Sequence, residues 1–116
     1  MAGMKLVHSS QVEAGEVTEQ GASNVTVRWL LSRPEGAPSF AMRLFELAPG
    51  GHTPLHEHAW EHEVYILEGQ AEVVSKDGPI AAAAGDAVLV LPNEAHQFHN
   101  AGAGAAKFLC MIPLPE

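Results

Sequence analysis

Apolar runs of four to eight residues, each closed by Gly, Pro, Asn or Asp, recur along the chain from Val25 and limit its fold more than any other feature. They are Val25 to Leu31, Phe40 to Leu47, Val64 to Leu67, Ala87 to Leu91 and Phe108 to Ile112. Such lengths suit strands and are too short for stable helices. Arg28, Arg43 and Glu46 interrupt the first two runs, as expected of strands with one face toward solvent, whereas Val88 to Leu91 reads as buried on both sides. Turn chemistry falls between the runs at Pro34-Glu35-Gly36, Pro49-Gly50-Gly51, Glu68-Gly69, Asp77-Gly78-Pro79, Gly85-Asp86, Pro92-Asn93 and Ala101 to Gly104. Ile80 to Ala84, boxed between Pro79 and Gly85, is expected as strand or extended loop. The pattern predicts an all-β sandwich or barrel.

A chain of 116 residues has room for one domain, 1–116, and a 47% apolar, 17% charged composition excludes a disordered one. Lys5 to Gly21 shows neither period. Residues 1–24 are therefore expected as an arm packed on the barrel or on a second subunit, with the barrel over 25–113. Fourteen acidic residues against six basic ones give a charge of −8, which disfavours nucleic acid and anionic membrane as partners. The single cysteine, Cys110, allows no internal disulfide framework and suits a reducing compartment. Met1 to Ser10 lacks a signal-peptide core, and no segment approaches the ~20 apolar residues of a membrane helix. The expected location is the cytoplasm.

Three of the seven histidines fall within His56-Glu57-His58-Ala59-Trp60-Glu61-His62. On a strand, side chains two apart share a face, so His56 and His58 can converge on one ion while Glu57 points away. A third histidine beyond a short bend can complete a facial set, and neutral imidazole is a common ligand of first-row divalent metals.

These residues resemble the first motif of the cupin superfamily, which orders a glycine, His-x-His, a glutamate and a second glycine. Gly50, His56, His58, His62 and Gly69 stand at those places, with His62 where the glutamate is usual. The second motif runs from glycine through proline to histidine and asparagine, here Gly85, Pro92, His96 and Asn100. Pro92 to His96 is one residue shorter than the motif and lacks its internal glycine. Two motifs in the right order are far more specific than either alone. The chain is similar in particular to small single-domain cupins with a His-Pro-Trp-Glu-His-Glu segment, Pro-Asn-Glu before the last histidine and Phe-Leu-Cys near the end. Its corresponding segments are His58 to Glu63, Pro92-Asn93-Glu94 and Phe108-Leu109-Cys110.

The resemblance implies a double-stranded β-helix, or jelly-roll barrel, holding one divalent metal on His56, His58, His62 and His96. Glu63 is the alternative to His62. Manganese is implied by the resemblance, while ligand type alone suits Fe, Ni, Cu or Zn better. Four neutral imidazoles leave the ion its double charge, and six-coordination would leave two positions open. Arg43, Phe45, Trp60, Phe98, Phe108 and Cys110 are implied as cavity residues. His52 reads as a loop histidine and His99 as a surface one; His8 carries no signal. Glu61 or Glu63 is expected to orient an imidazole N–H.

The expected function is that of a metal-dependent oxidoreductase of dioxygenase type, acting on a small, partly apolar molecule. The alternatives are a binding or sensing cupin and a Lewis-acid isomerase or lyase. A homodimer is expected, because small cupins commonly cover an open edge or face by pairing.

Overall fold

A computed structural model describes residues 3–114. Its strands are β1 (Gly15–Glu16), β2 (Ser23–Leu31), β3 (Phe40–His52), β4 (His62–Glu68), β5 (Gln70–Ser75), β6 (Gly78–Ala83), β7 (Ala87–Val90), β8 (Gln97–His99) and β9 (Ala106–Pro113). Two short 3-10 turns, Ser9–Gln11 and Arg33–Glu35, are the only helical pieces among the described residues. None is long and apolar enough to cross a membrane. The strands pair antiparallel in the order β6-β5-β8-β3-β9-β4-β7, with β2 on the other edge of β3 and β1 on β2. The result is a nearly closed barrel, the jelly-roll type expected from sequence.

Strand β3 organises the barrel. It pairs with β9 from Phe40 to Leu47 and then reaches β8, where His52 lies opposite His99. Pro49-Gly50-Gly51, expected to end this strand, is instead an irregularity within it. Gly50 takes a φ of 79°, and a side chain on Gly51 would come within 2.6 Å of the Asn24 carbonyl oxygen. Two glycines thus let the strand bend while Gly50 N and Gly51 O keep hydrogen bonds to Asn100. The buried Asn100 side chain bonds the Leu47 and Gly104 carbonyls and accepts from Gly102 N, fixing the Ala101 to Gly104 turn.

Alternation along β3 turns Ala41, Phe45 and Leu47 inward, and their neighbours on β9 include Phe108 and Ala106. Leu47, Ile66, Phe98 and Phe108 are the bulkiest parts of the core. Val88 to Leu91 is not buried on both faces: Val90 is 3% exposed but Leu89 is 56%. Among the described residues, strand β7 pairs only with β4 and ends the strand order, and no layer covers its outer face. Strands β5 and β8 were not visible as apolar runs, because Gln70, Glu72, Gln97 and His99 alternate with their inward residues. In the N-terminal segment, β1 pairs with β2 and Val17 packs against the core.

Between β4 and β5 the chain passes from pairing with β9 to pairing with β8, and Gly69 makes that corner at a φ of 76°. A Cβ there would press on the Ala105 carbonyl oxygen. Gly69→Ala is expected to cost at least about 2 kcal/mol through the left-handed backbone and this clash. Urea denaturation checks it, with Gly78→Ala, which meets no neighbouring atom, as the milder comparison.

Candidate functional site

The segment between β3 and β4 carries His56 and His58 in no regular strand; His56 makes an isolated antiparallel bridge with His96. Reciprocal backbone bonds of 3.1 and 2.9 Å close that bridge and bring the two halves of the histidine set together. His62 opens β4 and faces inward at 5% exposure, while the adjacent Glu63 is exposed, as strand alternation requires. His96 is 3% exposed. Five of the six possible ring pairs lie with centroids 4.2 to 6.0 Å apart: His56–His58, His56–His96, His58–His62, His58–His96 and His62–His96. All four rings line one cavity of about 270 Å³. Among the described residues, no three acidic, cysteine or histidine side chains stand in a formed metal-holding geometry. The rings converge without forming a closed shell.

Burial favours the neutral form of three of these imidazoles, His58, His62 and His96. His62 is held down to about 3 by burial first, then by the neighbouring charges of His96 and Arg43. Burial is also the main cause that lowers His58 and His96; for His96 a backbone hydrogen bond opposes it. Two proton positions are set by acceptors. His96 Nδ1 lies 2.9 Å from the Glu94 carbonyl oxygen and His56 Nδ1 lies 3.3 Å from Glu19 Oε2. A carbonyl or carboxylate can only accept, so Nδ1 carries a proton, and a metal would take the ring through Nε2. Buried His62 Nδ1 has no hydrogen-bond partner among the described residues. Four convergent imidazoles are a donor set that can hold a first-row divalent ion.

Arg43, Phe45, Phe98, Phe108 and Cys110 all line the cavity. Trp60 does not; it stacks on the His58 ring at 4.6 Å with the planes 3° apart. Phe45 and Phe108 stack at 5.2 Å, and Phe98 tilts against Phe108 at 4.7 Å. Burial raises the Cys110 thiol, leaving it protonated. His52 and His99 stay off the cavity wall, His99 lying 3.3 Å from Glu72.

The carboxylate beside a cavity imidazole is Glu19, whereas Glu61 and Glu63, expected in that role, line a separate groove. Glu19, Val17 and Thr18 come from the N-terminal segment and complete the cavity wall. Trp29, on β2, was likewise missed; its register opposite Arg43 is a pairing fact that one strand's pattern does not contain.

The chain is similar in sequence and fold to known proteins. A 1-methylthio-D-xylulose 5-phosphate methylsulfurylase of Rhodospirillum rubrum is 37% identical over 71 residues, 61% of this chain and 46% of that protein. The chain therefore spans about half the length of the curated relative it matches. Among solved structures, the polyketide cyclase RemF of Streptomyces resistomycificus superposes with a TM-score of 0.90 at 38% identity, covering 96% of this chain and 80% of that one. A predicted oxalate decarboxylase of Thermotoga maritima gives 0.85 at 25% identity, covering 96% and 100%. With a family model described as "Cupin domain" matching residues 43–112, a stretch that includes Arg43, the four histidines and the Phe108 to Cys110 wall, the chain belongs to the cupin family.

Proposed function

We propose that this chain is a metal-dependent cupin catalysing a non-redox rearrangement of a carbonyl compound, of the cyclase or lyase kind. His56, His58, His62 and His96 would hold one divalent transition metal. The observation that carries this reading is the convergence of four imidazoles on one cavity whose wall is otherwise largely aromatic and aliphatic. The residues fit the ion: His62 has a buried unpartnered nitrogen, and His56 and His96 carry their protons on Nδ1. Manganese is favoured by the family resemblance, while Zn, Fe, Ni and Cu suit imidazole donors.

When bound, a divalent metal on four neutral imidazoles supplies Lewis-acid polarisation of a carbonyl oxygen. The chain's own residues do the rest. Phe45, Phe98 and Phe108 present a dry wall for an unsaturated substrate. Glu19 Oε2 holds the proton on His56 Nδ1, and the Glu94 carbonyl does the same for His96. The likeness to a polyketide cyclase over nearly the whole chain favours this chemistry over the dioxygenase reading.

The test is turnover of a linear poly-β-ketone thioester mimic under argon and in air, with metal content measured by elemental analysis. Equal rates with and without dioxygen are expected. His58→Ala and His96→Ala are each expected to weaken metal binding by more than the ~10–100-fold that loss of an outer hydrogen-bond partner costs, and to abolish turnover. Dioxygen consumed in step with turnover would restore the dioxygenase reading. Unchanged turnover by metal-free protein would remove the metal from the reaction.

A further inference from the structure

Arg43 occupies a strand position that packing alone would give to an apolar residue. It lies in register between Trp29 on β2 and Cys110 on β9, with inward Ala41 and Phe45 two residues away on its own strand. Its guanidinium carbon sits 4.8 Å from the Phe45 ring centre and 5.3 Å from that of Trp29. The two rings hold the cation in the cavity wall. Its hydrogen bonding is incomplete. Nη2 donates to Cys110 Sγ at 3.0 Å, a weak acceptor, and Nε is buried with no partner among the described residues. Among the described residues, the ion pairs are His56–Glu19, His99–Glu72 and Lys107–Glu68; none includes Arg43, in a chain of fourteen acidic residues.

A half-satisfied cation on a largely apolar wall costs stability that a methionine of similar length would not. We propose that Arg43 is an anion-binding residue that reads a single carboxylate on an otherwise apolar, unsaturated ligand. The planar fork of N–H donors matches a carboxylate. A phosphate dianion would call for further cationic side chains, and among the described residues the cavity wall holds no lysine and no second arginine. Val17, Val27, Phe98 and Phe108 provide apolar surface for the body of such an acid. Arg43 thereby selects and orients the ligand. This inference rests on reading the cavity as the ligand site and is independent of what metal the histidines hold.

Benzoate, benzamide and phenyl phosphate are suitable probes, titrated against the full chain by calorimetry in metal-loaded and chelator-treated forms. Trp29 beside the guanidinium gives a second readout by fluorescence, isolated in a Trp60→Phe background because Trp29 and Trp60 are the chain's two tryptophans. Benzoate is expected to bind at least tenfold tighter than benzamide in both forms. Arg43→Gln removes that preference without changing metal content, and Arg43→Lys restores part of it, as a point charge without the fork does. Thermal melts establish that each variant is folded; if Arg43→Gln is not, Arg43→Lys decides, and a preference equal to wild type overturns the fork. Equal affinity for benzoate and benzamide overturns the proposal. A preference that survives Arg43→Gln also does so, by assigning the carboxylate to the metal. Phenyl phosphate binding more than tenfold tighter than benzoate makes the anion a phosphate and overturns the class. An Arg43-dependent benzoate preference in a protein that binds no metal supports this proposal while removing the metal-dependent function.

Discussion

Replacing Phe108 with alanine is expected to destabilise the protein by about 3–5 kcal/mol, the largest effect of any single truncation in this barrel. Phe108 is 1% exposed and sits between Phe45 and Phe98, in register with Phe45 on β3 and Ile66 on β4. Truncation removes ring contacts on both sides and leaves a hole that the flanking strands, tied by their ladders, close only in part. The hole also opens into the histidine cavity, so ligand affinity falls together with stability. Leu89→Ala, on the uncovered outer face of β7, is the comparison and is expected to cost under about 1 kcal/mol. Urea denaturation midpoints of the two variants decide the matter. Equal losses would mean that the core is not organised around the stacked phenylalanines.

How far the sequence specified this fold depended on where hydrophobicity was concentrated. Strands β2, β3, β4, β7 and β9 each contain an apolar run that reads directly as strand. Strands β5 and β8 bury only alternate residues, such as Ala71, Val73 and Phe98, and use polar residues between them, so no run announces them. The opposite error at Val88 to Leu91 has the same root. A continuous apolar run is compatible with a two-sided core or with an uncovered apolar face, and only the strand order decides which. Pro49-Gly50-Gly51 was read as a turn because glycine permits one; here it bends a thirteen-residue strand that pairs first with β9 and then with β8.

The site was legible where its residues are close in sequence or repeat a motif. His56, His58 and His62 lie within seven residues, and His96 follows the second motif's spacing. Glu19 was invisible, because it reaches His56 across a separation of 37 residues from a segment with no periodicity. Arg43 could be seen as a charge among apolar neighbours, but its unpartnered state depends on Trp29 and Cys110, which only the β2-β3-β9 register sets beside it. Trp60 shows the converse: the family resemblance implied the cavity wall, and the chain stacks it on the His58 ring instead.

The same burial that readies the histidines makes the metal-free protein sensitive to acid. His62, buried at 5% exposure, is held to about 3 in the folded state against an ordinary 6.5, chiefly by desolvation. Between those two pH values the unfolded chain binds a proton that the folded chain refuses, so stability is full above about 6.5 and falls as the pH is lowered. His62 alone is worth ~2 kcal/mol of loss by pH 5, and the loss levels off only once the folded ring accepts its proton near 3. His58 and His96 are shifted downward as well and add in the same direction. Chelator-treated protein should therefore show a urea midpoint that declines steadily from pH 7 to pH 5, a window above the ordinary range of the carboxylates. His62→Gln, which keeps a polar side chain but cannot take a proton, is expected to flatten most of that decline and to be the more stable of the two at pH 5. A wild-type midpoint that does not move between pH 7 and pH 5, or a His62→Gln slope equal to that of wild type, would mean that burial of this ring does not set the acid sensitivity.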